Sequence, residues 1–323
     1  MNATPLLPEF IDSTMMSCFR ACPRRFYYEF ILGLRPTGLS VDLHAGGCFA
    51  TALERFYKAI YIEGADNQVA LQRALGAFLT TWGDFEPVKD TPKTRDRVWE
   101  AVEEYFKQWS PATDPVQPFR NADGAPAMEF TFGIPLEPTQ DTENTLINNV
   151  PAHGFPLHPV TRQPFIYAGR FDMLGVKNGR TRWRDEKTTT SIGAAWAEQW
   201  DLRSQFLGYT WALQQSGIKC DGGIVRGIGI LKTKITLAEA EKIYSDALIA
   251  RWLEQLRRDL WRLCRSWNDH YWDFNLADAC TTYGGCAFRL PCSSEAPERW
   301  YAGYNVKRWN PTQKNPIAEP VAA

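Results

Sequence analysis

The stretch GRFDMLGVKNGRTRWRDEKTTT, Gly169 to Thr190, limits the possible folds more than any other part of the chain. Asn178-Gly179 is the strongest short-range signal for a two-residue β-turn, so two strands flank it as a hairpin. With those residues as the loop, Lys177 faces Arg180, and counting outward along both arms brings Asp172 opposite Asp185. Directly opposed residues lie about 4.5–5.5 Å apart at Cβ, and like charges there are destabilising. At about 4 Å and an effective dielectric of about 20 the repulsion is roughly 4 kcal/mol. A hard divalent cation, which takes one or two carboxylates and keeps several waters, is the simplest group to offset it. Side chains alternate along a strand, so Lys187 shares the face of Asp172 and Asp185, while Glu186 points the other way.

That trio suits phosphodiester hydrolysis. A cation held by Asp172 and Asp185 lowers the pKa of a bound water and braces phosphoryl oxygens, and Lys187 orients the water or stabilises charge in the transition state. The plainer alternative is an exposed hairpin with a Lys–Asp ion pair worth roughly 0–1 kcal/mol. Further along, Gln205 and Tyr209 stand at i and i+4 and share a helix face. An amide and a phenol both hydrogen-bond phosphate or base edges, which suits a helix beside the hairpin facing the same cleft. Alternatively, Tyr209 is a core residue, as Phe206, Trp211 and Leu213 are expected to be.

The rest of the chain reads as mixed α/β. A helical pattern runs from Ser13, a plausible N-cap, to about Ile31 and stops at Gly33. Further helices are expected near residues 47–63, 67–82 and 93–109. From Pro111 to Pro164 the composition is that of loops, interrupted by the strand-like MEFTFGIPL. After the hairpin come a helix within AEQWDLRSQFLGYTWALQQSG, ended by Gly217, and a strand in GGIVRGIGILK. The order is β, β, β, α, β. A long helix, roughly Leu237 to His270, leads into a cysteine-bearing tail.

With 323 residues and 44% hydrophobic content the chain has enough apolar material for a full core. The start MNATPLLPEF lacks the pattern of a secretory signal, and no apolar stretch is of membrane length, which places the protein in the cytoplasm without a membrane partner. The net charge of −1 excludes no partner, because a neutral protein can carry a basic channel. PRRFYY and KNGRTRWR mix cations with aromatics, as phosphates and stacked bases require, and equally suit solvated basic faces. No Walker-type loop or nucleophile elbow is present.

In the cytoplasm thiols stay reduced, so the eight cysteines are metal ligands, cluster ligands or core residues rather than disulfides. Cys280, Cys286 and Cys292 fall at two equal spacings and need a fourth thiol for a tetrahedral set. The tight spacings usual for zinc are absent, which favours an iron-sulfur cluster. Cys18, Cys22, Cys48, Cys220 and Cys264 are the candidates for the fourth ligand, Cys22 the most attractive because it lies among cations and aromatics. The histidines His44, His153, His158 and His270 show no ligand spacing and are expected to be structural or exposed.

Together these residues resemble the PD-(D/E)XK nuclease superfamily, in particular its RecB-like branch of CRISPR-associated and helicase-linked exonucleases with a four-cysteine iron-sulfur cluster. SCFRACPRRFYYEFILGLRP is similar to the family's N-terminal segment and maps the first cluster cysteine to Cys22. GRFD carries the first metal-binding acid, Asp172, and DEKT the acid-x-Lys motif, Asp185 and Lys187. QFLGY matches the Gln-x-x-x-Tyr signature at Gln205 and Tyr209, and Cys280, Cys286 and Cys292 complete the cluster set. Each motif is weak alone; five in the right order are strong. One position departs from the pattern. Where the family's early helix has a metal-binding histidine, GGCFATALE has Ala50, and keeps Glu54 one turn on as a possible ligand, with Glu129 as another acid.

The resemblance implies one restriction-endonuclease-like α/β domain with a mixed central sheet and flanking helices. Residues 1–110 would form a helical cap segment, 127–235 the nuclease core, and 236–295 the long helix and a C-terminal iron-sulfur staple. It further implies a Mg²⁺- or Mn²⁺-dependent exonuclease acting on single-stranded or frayed DNA ends, with a structural [4Fe-4S] cluster and a helicase or a recombination or CRISPR partner. The alternative is a DNA-binding or scaffold protein that keeps the fold and cluster but has lost catalysis at Ala50. A zinc-stapled structural protein is a third reading.

Overall fold

Asn178 and Gly179 both take left-handed backbone, φ +51° and +73°, and close the hairpin between the strands Ile166–Lys177 and Arg180–Thr189. That is the type I′ geometry whose twist matches paired strands. The structure is a computed structural model and describes residues 4–313 apart from 39, 88–89, 123, 125, 139–145, 148–149, 152–153, 277 and 282–284. The chain forms two compact units that alternate along the sequence: residues 1–38, 131–170 and 246–323 make one, residues 39–130 and 171–245 the other.

The fold is mixed α/β, with a central mixed sheet and flanking helices. In the second unit, the strand Arg180–Thr189 pairs antiparallel with the first hairpin arm and parallel with Cys220–Ile230, which in turn pairs antiparallel with Ile235–Ile243. Adjacent side chains of a strand point to opposite faces. Trp183 stacks on Phe206 of the helix Ser204–Gln215 at 4.6 Å, whereas the Arg184 guanidinium lies 5.0 Å from the Tyr57 ring of the helix Val41–Tyr61. Helices therefore cover both faces. On the second face Ile228 and Ile230 join a core built from Val41–Tyr61, Asn67–Trp82 and Arg95–Gln108. The glycines of GGIVRGIGI have a steric cause: a Cβ on Gly223 would stand 2.0 Å from the Trp183 ring, and one on Gly227 2.3 Å from Trp196.

The expected helix from Leu237 to His270 divides. Ile235–Ile243 is a strand, and the helix occupies Asp246–Asn268. AEAEK favours a helix locally, but Glu239 sits opposite Arg226 and bonds its Nε at 3.0 Å, and Glu241 bonds Arg182 Nε at 3.0 Å. Such cross-strand pairing overrides local propensity.

In the first unit, the expected helix from Ser13 to Ile31 also divides. The cap is Asp12, whose Oδ1 accepts from the Met15 N–H at 2.7 Å, and the first segment ends at Ala21. Cys22 is extended, and Pro23, which lacks an N–H, starts a new turn that runs into the wider Tyr27–Ile31 turn. Arg20 reaches Asp259 of the helix Asp246–Asn268 at 2.6 Å. Phe10–Ile11 pairs parallel with Ile166–Tyr167, and Leu34–Pro36 pairs antiparallel with Tyr304–Val306 over a small core of Tyr28, Leu32, Leu34 and Phe288. Among the described residues no helix is long and apolar enough to cross a membrane.

Candidate active site

The hairpin register delivers the acids. Pairs run from Lys177↔Arg180 out to Met173↔Arg184, and the next residues outward are Asp172 and Asp185. Asp185 is 1% exposed, and its Oδ1 meets Lys187 Nζ at 2.5 Å. Gln205 Nε2 donates to Asp185 Oδ2 at 3.2 Å and to the Tyr209 hydroxyl at 2.9 Å. The Glu186 main-chain N–H donates to Asp172 Oδ2 at 3.0 Å. Burial pushes the Asp172 carboxyl well above the usual range, helped by the charges of Asp185 and Glu186 and opposed by Lys187. Burial also raises Asp185, against the pull of Lys187. Two acids pushed up in this way mark a site short of positive charge.

Glu186 points away from Lys187, as alternation predicts, yet it is not remote from Asp172. Both line a cavity of about 20 Å³ with Ala50, Glu54, Glu129 and Arg184. Glu54, 8% exposed and ion-paired with Lys58 at 2.5 Å, thus shares a wall with Asp172, and so does Ala50. Glu129 enters from the strand Met128–Pro135 with φ +50°, a backbone region few non-glycine residues adopt. Among the described residues no three or more His, Cys, Asp or Glu side chains form a group spaced to hold a metal ion. Magnesium takes one or two protein carboxylates and keeps its waters, so the donor set of Asp172 and Asp185, with its raised acids, fits such a cation.

Gln205 and Tyr209 stand on Ser204–Gln215, but Tyr209 is 6% exposed and packs its ring 4.6 Å from Phe171. Its hydroxyl serves Gln205, and the pair braces Asp185. The basic clusters are largely used within the fold. In PRRFYY the Arg24 guanidinium lies 4.3 Å from the Phe274 ring, and Arg25 pairs with Glu29 at 3.0 Å. In KNGRTRWR, Lys177 pairs with Glu239 and Glu241, and Arg182 with Asp221 and Glu241.

One part of the site escaped sequence reasoning. Arg184 and Arg226, 1% and 0% exposed, both reach Asp114. Arg226 grips it through two nitrogens at 2.7 and 2.6 Å, Arg184 Nη1 stands at 3.4 Å, and Arg226 Nη1 also donates to the Tyr105 hydroxyl at 3.1 Å. Tyr105 donates in turn to Glu186 at 2.6 Å, and Arg184 Nε lies 2.6 Å from the same carboxylate oxygen. The available signal was Arg226 itself, a cation inside the apolar run GGIVRGIGI, which a buried sheet tolerates only with an acid supplied from elsewhere.

Within the first unit, Cys22, Cys280, Cys286 and Cys292 are free thiols, and among the described residues they are not grouped closely enough to hold a metal ion, so the expected cluster set is not assembled. The Cys286 N–H donates to the Cys280 carbonyl at 3.0 Å. Burial pushes the Cys292 thiol up to about 11, with added contributions from nearby Cys22, Cys286 and Cys280. Cys18 shares that neighbourhood: burial pushes its thiol far up, with Glu29 and Cys22 adding to the rise. His44 Nε2 lies 3.2 Å from the Trp82 carbonyl oxygen, and the 2% exposed His158 has its Nε2 3.3 Å from that of Leu7; both are structural. His153 lies outside the described residues.

Among solved structures the chain is similar to a crystal structure of SSO0001, at 15% identity over 80% of this chain and 78% of that one, with a TM-score of 0.31. No curated protein sequence matches it. The family model for the PD-(D/E)XK nuclease superfamily matches residues 14–293, and the chain belongs to that superfamily.

Proposed function

We propose that the protein is a metal-dependent DNA nuclease, an exonuclease on single-stranded or frayed ends, with Asp172, Asp185 and Lys187 as its catalytic residues. Members of the superfamily are generally nucleases. The observation that carries the reading is the convergence of Asp172 and Asp185 beside Lys187, with both carboxyls pushed upward by burial. Mg²⁺ or Mn²⁺ held by Asp172 and Asp185, with Glu54 and Glu129 on the adjoining wall, would supply charge stabilisation for phosphoryl transfer. The chain's own part is to hold the acids. Gln205, braced by Tyr209, fixes Asp185, and the Glu186 N–H fixes Asp172. Lys187, 31% exposed at its side chain, keeps an ammonium beside the acids, where it can stabilise developing charge.

Cys22, Cys280, Cys286 and Cys292 are proposed to ligate a structural [4Fe-4S] cluster. The four thiols belong to one unit, and Cys292 lies within electrostatic range of the other three. A cytoplasmic helicase, recombination or CRISPR partner follows from the same branch of the superfamily. A second reading rests on Ala50, which lines the cavity where the family pattern has a histidine: a DNA-binding scaffold with weakened catalysis.

End-labelled single-stranded and frayed DNA, incubated with Mg²⁺ or Mn²⁺, tests both. Wild-type protein should shorten the label progressively, and Asp172→Ala or Lys187→Ala should abolish cleavage while leaving the protein folded. Intact DNA on every substrate sinks the enzyme reading and favours the scaffold. Anaerobically purified protein should hold about four iron and four sulfide per chain, and stoichiometric zinc instead sinks the cluster.

A further inference from the structure

Glu186, its side chain only 6% exposed, is an acid beside the site that the proposed chemistry does not use. Its carboxylate is nevertheless firmly held. One oxygen lies between Arg184 Nε and the Tyr105 hydroxyl, each at 2.6 Å, while the main-chain N–H of the same residue donates to Asp172 Oδ2 at 3.0 Å. Arg184 and Tyr105 set the orientation of the Glu186 side chain, while the strand Arg180–Thr189 aims its N–H at Asp172. Arg184 is itself immobilised, 1% exposed, by Asp114 Oδ2 at 3.4 Å and by the face of Tyr57 at 5.0 Å; Asp114 is gripped in turn by Arg226. Arg184, Glu186, Asp172 and Ala50 line the same cavity of about 20 Å³. No side chain longer than a methyl at position 50 keeps a released carboxylate from turning toward Asp172.

We infer that Arg184 is a positioning residue that holds the Glu186 carboxylate back from the cation site, so that it stays out of the donor set built on Asp172 and Asp185. The inference rests on the nuclease reading of those two acids. A guanidinium suits the task because one rigid cation meets both acids, Glu186 as an ion pair and Asp114 through a hydrogen bond, and it never loses its charge. Without Arg184 the cavity loses one positive charge, and the Glu186 carboxylate keeps the neutral Tyr105 hydroxyl but loses the cation that holds it back. A divalent cation then meets more negative charge but the wrong donor set.

Mn²⁺ binding measured by calorimetry, beside the cleavage rate at saturating Mn²⁺, separates this role from a merely structural one. Arg184→Gln should bind Mn²⁺ about tenfold tighter yet cleave at least about tenfold more slowly. Arg184→Lys, which keeps the charge, should bind near the wild-type level, and Glu186→Gln, which removes one of the two acids paired with Arg184, should bind more weakly. Arg184→Gln combined with Glu186→Gln removes both charges and should return to wild-type affinity. Should Arg184→Gln alone not fold, the double variant must still bind Mn²⁺ more tightly than Glu186→Gln alone; equal affinities overturn the inference. So does an Arg184→Gln protein whose Mn²⁺ affinity is unchanged or weakened while wild type binds normally. Wild-type protein that binds no Mn²⁺ overturns the nuclease reading and this one with it.

Discussion

Asp114→Ala tests the buried charge network beneath the site. The Asp114 carboxylate, 5% exposed, accepts from Arg226 at 2.7 and 2.6 Å, from Arg184 at 3.4 Å and from the Val116 N–H at 2.9 Å. Burial acts to raise its pKa, but the bonds and charges of Arg226, with that of Arg184, outweigh it and hold the carboxyl below the usual range. Removing it leaves two guanidiniums, 1% and 0% exposed, with one carboxylate fewer between them. Breaking a buried pair from one side costs about 3–5 kcal/mol, because the remaining charge is uncompensated. That is a large share of a typical total stability of about 5–15 kcal/mol. With a urea slope of about 3 kcal/mol per molar, the unfolding midpoint should fall by about 1 M or more. Tryptophan fluorescence in a urea titration reads it, since Trp183 and Trp109 lie in this unit's interior. Asp114→Ala with Arg226→Met removes acid and cation together and should recover more than half of the loss. A single variant within about 1 kcal/mol of wild type, or a double variant showing the simple sum of two losses, refutes the account.

Three further outcomes follow from particular contacts. Gln205→Ala removes a donor from a charged acceptor, worth about 1.5–3 kcal/mol, and should slow cleavage by about 10- to 100-fold at unchanged fold; the rate on end-labelled DNA checks it. Gly223→Ala places a methyl 2.0 Å from the Trp183 ring and should destabilise by about 1–3 kcal/mol or more, read as a lower melting temperature. Asp12, pushed up to about 6 chiefly by burial, keeps a proton in the folded state that the unfolded chain has released. Its contribution is therefore full below about pH 4 and lost as pH rises to about 6, amounting to about 3 kcal/mol. Asp12→Asn preserves the cap, and the difference between its stability and that of wild type should carry this slope between pH 4 and 6; a flat difference refutes it.

The parts of the site that could be read beforehand are those fixed by short-range rules. Asn178-Gly179 sets the turn, and the turn sets the register out to Met173↔Arg184; Asp172 and Asp185 follow one position further out, within range of each other's charge. Gln205 and Tyr209 were legible as a pair because helical spacing is local, but not in their roles, because only packing puts the Tyr209 ring against Phe171. Ile235–Ile243 escaped because Ala, Glu and Lys favour a helix unless Arg226 stands across the ladder from Glu239 and Arg182, one strand further on, reaches Glu241. Asp114 escaped for a related reason. It lies in a proline-rich connection, 112 positions from the arginine it holds, and no periodicity links them.

The central strand explains why these long-range contacts and the acids belong together. RWRDEK, Arg182 to Lys187, puts five charged residues and one tryptophan into a sheet covered by helices on both faces, where each unpaired charge would cost several kcal/mol. Most of that charge is answered by the fold: Arg182 by Asp221 and Glu241, Arg184 by Asp114 and Glu186, and Lys187 by Asp185. The balance fails at one point. Lys187 acts on both Asp172 and Asp185, and Arg203 adds to its pull on Asp185, yet burial still forces both carboxyls upward. A fold that neutralises its buried arginines so thoroughly, yet leaves these two acids pushed upward, concentrates the remaining negative charge where a divalent cation lowers the energy most. On this argument Asp172→Asn should raise the stability of the metal-free protein near neutral pH and abolish the extra stabilisation that Mn²⁺ gives wild type. Equal Mn²⁺ stabilisation of both proteins would show that the cation binds elsewhere.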